Sequence, residues 1–150
     1  MDIRWKCKAF NDLTADEVYT ILCVRQEVFV LEQECLYLDA DGKDRKSYHL
    51  MGYLDNDLVA YARIVEPGVC YKEVSIGRIL TSEKARGTGA GKELMIQAIT
   101  KIEEIYGMVP IRISAQSYLL GFYGEFGWES TGKEYLEDDI PHTEMLRLTS

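Results

Sequence analysis

Three glycines alternate with other residues in a stretch that could bind a phosphate group. The stretch, Arg86-Gly-Thr-Gly-Ala-Gly91, lies between an apolar segment and a segment with helical periodicity. Since glycine has no Cβ atom, phosphate oxygens can approach the backbone closely there. The first N–H groups of a helix have no acceptor within the helix, and together with the helix dipole they attract an anion. The spacing therefore predicts a pyrophosphate-binding turn with Arg86 at its entrance, the alternative being a helix entry with flexible glycines.

Two common phosphate motifs do not fit this turn. A Walker A loop requires G-x-x-x-x-G-K followed by serine or threonine, whereas residues 87–93 are one residue too short and end in Glu93. The dinucleotide fingerprint G-x-G-x-x-G would require glycine in place of Lys92 or Leu94. Neither an ATP-binding loop of this type nor a dinucleotide site is therefore predicted.

The order of motifs around the turn is similar to that of the GNAT N-acetyltransferase superfamily. Arg86, Gly89 and Gly91 match its Arg-x-x-Gly-x-Gly acetyl-CoA motif. Segments on both sides resemble the family in order and spacing: Ile76-Gly-Arg-Ile79 before the turn, and Phe122-Tyr-Gly-Glu-Phe-Gly-Trp128 after it. Residues 24–33 and Ile140-Pro141-His142 resemble a narrower ElaA-like subgroup, so the similarity covers nearly the whole chain.

The resemblance implies a donor, an acceptor and a donor-binding site. In the GNAT fold an amine and acetyl-CoA bind together, and the amine nitrogen attacks the thioester carbonyl directly. We therefore expect an acetyl-CoA-dependent N-acetyltransferase that acts on the amine of a small molecule or peptide. By resemblance, the pantetheine arm and the pyrophosphate are bound by Ile79, Leu80, Thr81, Arg86, Gly87, Thr88, Gly89, Ala90, Gly91 and Lys92.

Two residues are predicted to be catalytic because of their positions in the family motifs. Tyr123 stands where many GNAT enzymes carry a tyrosine that protonates the departing CoA thiolate; the alternative is a core tyrosine beside Phe122 and Phe126. Glu73 lies at the start of the strand that leads to the turn, where some GNAT enzymes carry a catalytic glutamate. A base is needed because an alkyl ammonium ion titrates near pH 10. The alternative for Glu73 is a solvated acid at the end of a strand.

His142 is a third candidate catalytic residue. It follows Pro141 in a predicted loop, where a fixed backbone could direct the imidazole into the cleft. Histidine titrates near neutral pH and so suits proton transfer. The alternative is a hydrogen bond that holds the terminal loop in place.

The acidic segment 32–46 gives a further hypothesis about the acceptor. Its carboxylates could attract a cationic amine, although a solvated acidic loop would have the same composition. Arg25 and Gln33, in the first helical region, are interpreted as packing or substrate-wall residues. The acids concerned are Glu32, Glu34, Asp39, Asp41 and Asp44.

The pattern of apolar residues places these sites on a mixed α+β fold. Thr14 to Glu17 has the form of a capping box, so a helix is expected to begin there, and residues 32–46 are expected to form a long surface loop. Further helices are predicted from the glycine turn to Gly107 and over residues 119–126, and the last two strands enclose a loop over residues 137–142. Strands are predicted over residues 3–8, 48–54, 58–65, 74–81, 111–115, 129–136 and 145–149. The predicted order is β-α-β-β-β-α-β-α-β-β, and the resemblance implies a GNAT-like, mostly antiparallel sheet with flanking helices.

Composition limits the possible classes of protein. The chain has 150 residues, 47% of them hydrophobic, which suits one domain over residues 1–150. A net charge of −8 argues against nucleic acid or an anionic membrane as the main partner. The four cysteines show no C-x-x-C spacing and only two histidines accompany them, so no metal site is predicted. Since no signal peptide or membrane-spanning run is visible, we expect a cytoplasmic monomer or homodimer.

Two other functions remain compatible with a phosphate-binding turn. The chain could be a non-catalytic module that binds or senses acyl-CoA, which would require the same turn but no base near the acceptor. It could also be a nucleotide-dependent phosphotransferase, which would keep the turn and change the chemistry.

Overall fold

The computed structural model describes residues 2–149, which form one seven-stranded sheet with helices on both faces. The helices are α1 (Ala15–Arg25), which continues as π-helical turns over Gln26–Glu32, α2 (Ala90–Tyr106) and α3 (Leu120–Gly124). The strands are β1 (Arg4–Ala9), β2 (Ser47–Leu54), β3 (Asp57–Val65), β4 (Val74–Thr81), β5 (Ile111–Gln116), β6 (Trp128–Glu137) and β7 (Ile140–Arg147).

The strands lie in the order β1-β2-β3-β4-β5-β7-β6. Every neighbouring pair is antiparallel except β4 and β5, which run parallel. The predicted α+β class, the mostly antiparallel sheet and the order of strands and helices are confirmed. No helix among residues 2–149 is both long and apolar enough to cross a membrane.

The parallel contact between β4 and β5 is short. Only two residue pairs join the strands, Val74 with Ile111 and Ser75 with Arg112. Further along, β4 contains a bulge next to Arg78, whose φ of 49° lies in the left-handed region, and its register with β3 shifts there. The two strands therefore separate after their first residues, and a gap opens in the middle of the sheet.

The two faces of the sheet are covered unequally. On one face α2 contributes to a core that reaches from β2 to β7 and includes Ile113 and Ala115 of β5. On the other face α1 packs in a smaller core with Met51, Tyr61 and Leu80, which belong to β2, β3 and β4. Since side chains alternate along a strand, the polar residues between Ile113 and Ala115 and beyond point to the α1 side. That side of β5, β6 and β7 carries mainly polar groups.

The start of α1 forms as the sequence predicts. The Thr14 hydroxyl accepts a hydrogen bond from the Glu17 backbone N–H, and the Glu17 carboxylate accepts one from the Thr14 N–H. Glu17 also lies 3.0 Å from the ammonium groups of both Lys6 and Lys8. The capping box therefore satisfies N–H groups that have no acceptor within the helix, and Glu17 also links α1 to β1.

The predicted loop over residues 137–142 is wrong. The turn consists of Asp138 and Asp139 alone, with φ of 50° and 62°, and β7 already begins at Ile140. Two consecutive residues with positive φ are the geometry of the tightest β-hairpins, which aspartate tolerates although glycine or asparagine is commoner. As a result His142 is a strand residue that pairs with Gln116 of β5 and Tyr135 of β6.

Candidate active site

The gap between β4 and β5 widens into a cleft of about 580 Å³. Residues that are far apart in the sequence line this cleft, because the sheet topology brings their strands and helices together there. The lining includes Gly77, Arg78 and Ile79 of β4, Ser114 and Gln116 of β5, Tyr123 of α3 and His142 of β7. Two of the three predicted catalytic residues, Tyr123 and His142, therefore share one cleft.

The glycine turn lies between β4 and the first residue of α2. Gly87 and Gly89 have φ of 78° and 85°, and no atom lies within 4 Å of the position that a Cβ would occupy on either residue. None of the backbone N–H groups from Gly87 to Lys92 makes a well-aligned hydrogen bond to another backbone group among residues 2–149. They stand at the N-terminus of a 17-residue helix. These open donors suit a diphosphate.

Arg86 fixes the turn to its surroundings. Its Nε donates to the Thr81 carbonyl at 3.1 Å, which ties the turn to the end of β4. Its Nη2 donates to Glu32 Oε1 at 2.5 Å, in the segment that follows α1. These two contacts favour a role for Arg86 in holding the loop in place.

Tyr123 is suited to donate a proton inside the cleft. It is 6% exposed, and its ring packs against Phe122 and Trp128 with centroids 5.2 and 6.1 Å away. Burial raises its pKa to about 12, so the phenol keeps its proton at neutral pH. No hydrogen bond of its hydroxyl within residues 2–149 contributes to this pKa, and the residue lines the cleft. A phenol that is protonated, unpartnered and next to open space can donate to a ligand.

Glu73 does not reach this cleft as a free base. Both of its oxygens accept hydrogen bonds from Arg112, at 2.9 and 2.8 Å, and Arg112 also lies 3.0 Å from Glu144. The hydrogen bonds from Arg112 lower the pKa of Glu73 to about 2. A carboxylate stabilised in this way takes up a proton poorly at neutral pH. The structure therefore argues against the predicted base role of Glu73, whose observed contacts tie β4 to β5.

His142 is held rigidly on the cleft wall. Its Nδ1 lies 2.8 Å from the Ile140 carbonyl oxygen, and its Nε2 lies 3.2 Å from Glu137 Oε2. The imidazole stacks on the Tyr135 ring at a centroid distance of 6.1 Å and an angle of 18°. These contacts orient the ring so that Nε2 faces the rim where Glu137 lies.

Three aspartates of the acidic segment are paired with arginines. Asp39, Asp41 and Asp44 form a network with three arginines, which we call the arginine–aspartate cluster: Arg25, Asp39, Asp41, Asp44, Arg63 and Arg78. The three negative charges are balanced by three positive ones. The hypothesis that these three aspartates attract a cationic amine is therefore wrong. The interpretation of Arg25 as a packing residue is supported, since its side chain is fully buried.

Within the cluster the arginines control the protonation of the aspartates. Burial alone would raise the pKa of Asp41, but the hydrogen bonds from Arg63 hold it well below its usual range. In the same way Arg25 and Arg63 lower the pKa of Asp44. Beneath them His49 lies 2.6 Å from the Tyr61 hydroxyl, and burial lowers the pKa of this histidine. Asp41 and Asp44 are therefore ionised at neutral pH, and the cluster anchors the segment after α1 to β3 and β4.

Sequence reasoning missed the arginines of this cluster. Arg63 interrupts the otherwise apolar run of β3, and Arg78 follows Gly77 in β4. A charged residue within an apolar strand indicates a buried partner, because burying an unpaired charge is costly. That signal could have linked Arg63 to the nearby acids, although not to a particular one. No group of three or more residues that could hold a metal ion occurs in the part of the chain described.

Known proteins resemble this chain over almost its full length. Residues 11–148 match the family model described as Acetyltransferase (GNAT) domain. A UPF0039 protein from Synechocystis is 46% identical and protein ElaA from Escherichia coli 36% identical; each match covers 97% of this chain and 96% of the relative.

Solved structures agree with these matches. The crystal structure of an acyl-CoA N-acyltransferase from Pseudomonas aeruginosa is 42% identical and superimposes with a TM-score of 0.93. That of Escherichia coli ElaA is 35% identical, with a TM-score of 0.91. Both cover 97% of this chain and 99% of the other chain.

Proposed function

The chain belongs to the GNAT acetyltransferase family, and from this membership we propose that it transfers an acetyl group from acetyl-CoA to an amine. Transfer of an acyl group from acyl-CoA follows from the family and from the similarity to an acyl-CoA N-acyltransferase. The acetyl group, the amine nitrogen and the residue roles given below are the proposal. The acceptor is the amine of a small molecule or peptide.

One observation carries the proposal. The part of β4 that is separated from β5 leads from the cleft, which Tyr123 lines with an unpartnered hydroxyl, to the glycine turn with its open N–H groups. The pyrophosphate would lie against residues 86–92, and the pantetheine arm along Ile79, Leu80 and Thr81. The thioester then reaches the part of the cleft that Tyr123 lines. A donor of this length, with charge at one end and a reactive group at the other, fits that arrangement.

The chemistry requires one bond to form and one to break. The lone pair of the amine nitrogen attacks the thioester carbonyl carbon in a ternary complex, and the carbon–sulfur bond breaks. The Tyr123 hydroxyl gives its proton to the departing thiolate, and the phenolate regains the proton that the attacking nitrogen loses as the amide forms. Tyr123 is therefore the proposed general acid.

The free cysteines support a cytoplasmic site of action. Cys7, Cys23, Cys35 and Cys70 are all present as free thiols. Proteins of oxidising compartments commonly use their cysteines in disulfides, so four unpaired thiols favour a reducing compartment.

Two measurements test the proposed function. Acetyl-CoA at about 100 times its dissociation constant should stabilise the protein by about 2.7 kcal/mol, whereas ATP with magnesium should not. A panel of alkylamines, polyamines, amino acid amides and short peptides is then incubated with acetyl-CoA, and release of the CoA thiol is followed. We expect release that depends on one class of amine. Stabilisation by ATP alone would instead indicate a phosphotransferase.

A non-catalytic acyl-CoA-binding module is the second candidate. It is favoured by the engagement of Glu73 with Arg112, which removes the carboxylate that the family motif would use as base. Acetyl-CoA binding without thiol release for any amine in the panel would support this module and contradict the transferase.

A further inference from the structure

The proposed amine transfer still needs a base, and the polar side of β5, β6 and β7 provides one. We infer that the acceptor amine enters from the side of these strands that α1 leaves uncovered, and that His142 takes its proton while Glu137 binds its positive charge. This inference rests on the proposed function. It assigns to the acceptor site a ligand of definite chemistry, a protonated primary amine.

The sheet register places His142 opposite the donor segment. Ser75 and Arg112 are the last paired residues of β4 and β5, and Ile79 and Gln116 follow them by the same number of residues. Gln116 pairs with His142 across β5 and β7. His142 therefore lies one strand beyond Gln116, at about the level of Ile79, where the pantetheine arm is proposed to lie, and both residues line the cleft.

The hydrogen bond to Ile140 decides which imidazole nitrogen can act as base. A carbonyl oxygen is only an acceptor, so the Nδ1 atom, 2.8 Å from it, must carry the hydrogen. In a neutral ring the lone pair is then on Nε2. The tautomer is thus fixed by the backbone of β7, and the basic nitrogen, Nε2, points towards Glu137 at the rim of the cleft.

When the His142 ring is neutral, its contact with Glu137 lacks a donor. Nε2 carries a lone pair and Glu137 Oε2, 3.2 Å away, is a carboxylate oxygen, so a proton is needed between or beside them. A substrate ammonium group supplies N–H donors to both. Glu137 is accessible, with 55% of its side chain exposed, while that of His142 is 9% exposed. The carboxylate can therefore meet the cation at the rim and the imidazole can receive its proton within the cleft.

The neighbouring side chains hold the imidazole without competing for the proton. Tyr135 stacks on His142, and its hydroxyl is hydrogen-bonded to Ser114. Glu73, the other carboxylate examined above as a base, is paired with Arg112, and Asp41 is paired with Arg63. Glu137 and Tyr135 contact the His142 ring, and the titratable groups that line the cleft with it include Asp138, Tyr71 and Cys35.

The protons balance when His142 acts first. The ammonium gives one proton to Nε2 of His142 and becomes the neutral amine that attacks the thioester. The imidazolium is stabilised by the Glu137 carboxylate and passes its proton to solvent at the rim. The second proton lost by the nitrogen restores Tyr123 after it has protonated the thiolate. The sum is one amide, one CoA thiol and one proton released.

The test compares His142→Gln, Glu137→Gln and the matched control Glu129→Gln, an exposed acid on the same strand as Glu137. Thiol release is measured between pH 6 and 10 with acetyl-CoA and the best amine of the panel described above. We expect His142→Gln to lower kcat/KM about 100-fold at pH 7 and to recover as the pH approaches that at which the amine loses its own proton. Glu137→Gln should mainly raise KM for the amine, and Glu129→Gln should match the parent.

Several outcomes would overturn the inference. One is a His142→Gln variant with the rate and pH dependence of the parent, and another is a loss that stays the same at all pH values, which indicates a structural role. Calorimetric acetyl-CoA binding shows whether each variant is folded. If His142→Gln does not fold, the inference is tested by comparing Glu137→Gln with Glu129→Gln. Equal KM values for the amine in these two variants would refute the acceptor site. A parent protein inactive with the whole panel refutes the proposed function itself and the base with it.

Discussion

The arginine–aspartate cluster, which includes Arg78 of β4, and the glycine turn, which follows β4, both concentrate polar groups, yet those groups are paired in one and open in the other. In the cluster each of three arginines faces at least one aspartate within 3.1 Å. In the turn the backbone N–H groups from Gly87 to Lys92 have no well-aligned backbone acceptor among residues 2–149. Polar groups that are paired within the chain stabilise the fold, whereas the unpaired N–H groups of the turn remain available to bind a ligand. The same difference separates two buried tyrosines, since Tyr61 is hydrogen-bonded to His49 and Tyr123 is unpartnered.

The largest effect is expected for Arg25→Ala, in the cluster. Arg25 lies 2.8 Å from Asp39 and 2.7 Å from Asp44, with no exposed side-chain surface. Removing one member of a buried ion network leaves uncompensated charge, so the free energy of unfolding should fall by about 3–5 kcal/mol. Urea denaturation measures it. The control is Lys84→Ala, which breaks the exposed pair with Asp57 and should change the free energy of unfolding little, because solvent screens such a pair. Equal losses in the two variants would show that the cluster is not structural.

A large effect of the opposite kind is expected for Tyr123→Phe. Without the hydroxyl the thiolate has no proton donor, so kcat should fall about 100-fold while acetyl-CoA affinity and stability change little. Thiol-release kinetics and calorimetry check both expectations. Tyr61→Phe is the matched variant, because it should weaken folding by about 1–3 kcal/mol through the lost bond to His49 and keep kcat. If Tyr123→Phe lost stability and kept kcat, this tyrosine would be structural as well.

Acid should weaken the cluster before it affects the turn. The arginines hold the pKa of Asp41 and Asp44 below the unfolded values, so in acid the unfolded chain binds more protons than the folded one. This stability is complete above about pH 5 and is lost as the pH falls through about 4 towards the folded pKa values, by about 2 kcal/mol. Urea denaturation at pH 7, 5 and 3 measures it. An Arg63→Met variant should show a flatter decline, and a decline as steep as that of the parent would place the titrating groups elsewhere.

The smallest effect is expected for Gly89→Ala, in the turn. Alanine at a φ of 85° costs about 1–2 kcal/mol of folding stability, and its methyl group would enter the space assigned to the pyrophosphate. Acetyl-CoA affinity should fall about tenfold, which is about 1.4 kcal/mol. Gly132→Ala has the same kind of strain in β6, with φ of 91° and open space around it, and should keep its affinity. Equal affinities in the two variants would contradict a phosphate site at the turn.

Local signals in the sequence were sufficient for the turn and insufficient for the cluster. The helix starts at Thr14 and at the glycine turn were predictable because each depends on residues within a few positions. The cluster joins partners up to 39 positions apart, such as Asp39 and Arg78, and only the folded sheet brings them together. The tight turn of the last hairpin was missed because Asp138 and Asp139 take the left-handed conformation that is commonest for glycine. That error placed His142 in a loop and concealed its contact with Glu137.

The short contact between β4 and β5 also has a mechanical consequence. Only two residue pairs connect strands β1 to β4 with strands β5 to β7. Both groups of strands also contribute to the same apolar core, which includes Leu94, Met95 and Ala98 of α2. Because such a core is closely packed, we expect a shorter side chain at Met95 to change the relative position of the two groups of strands and with it the width of the cleft.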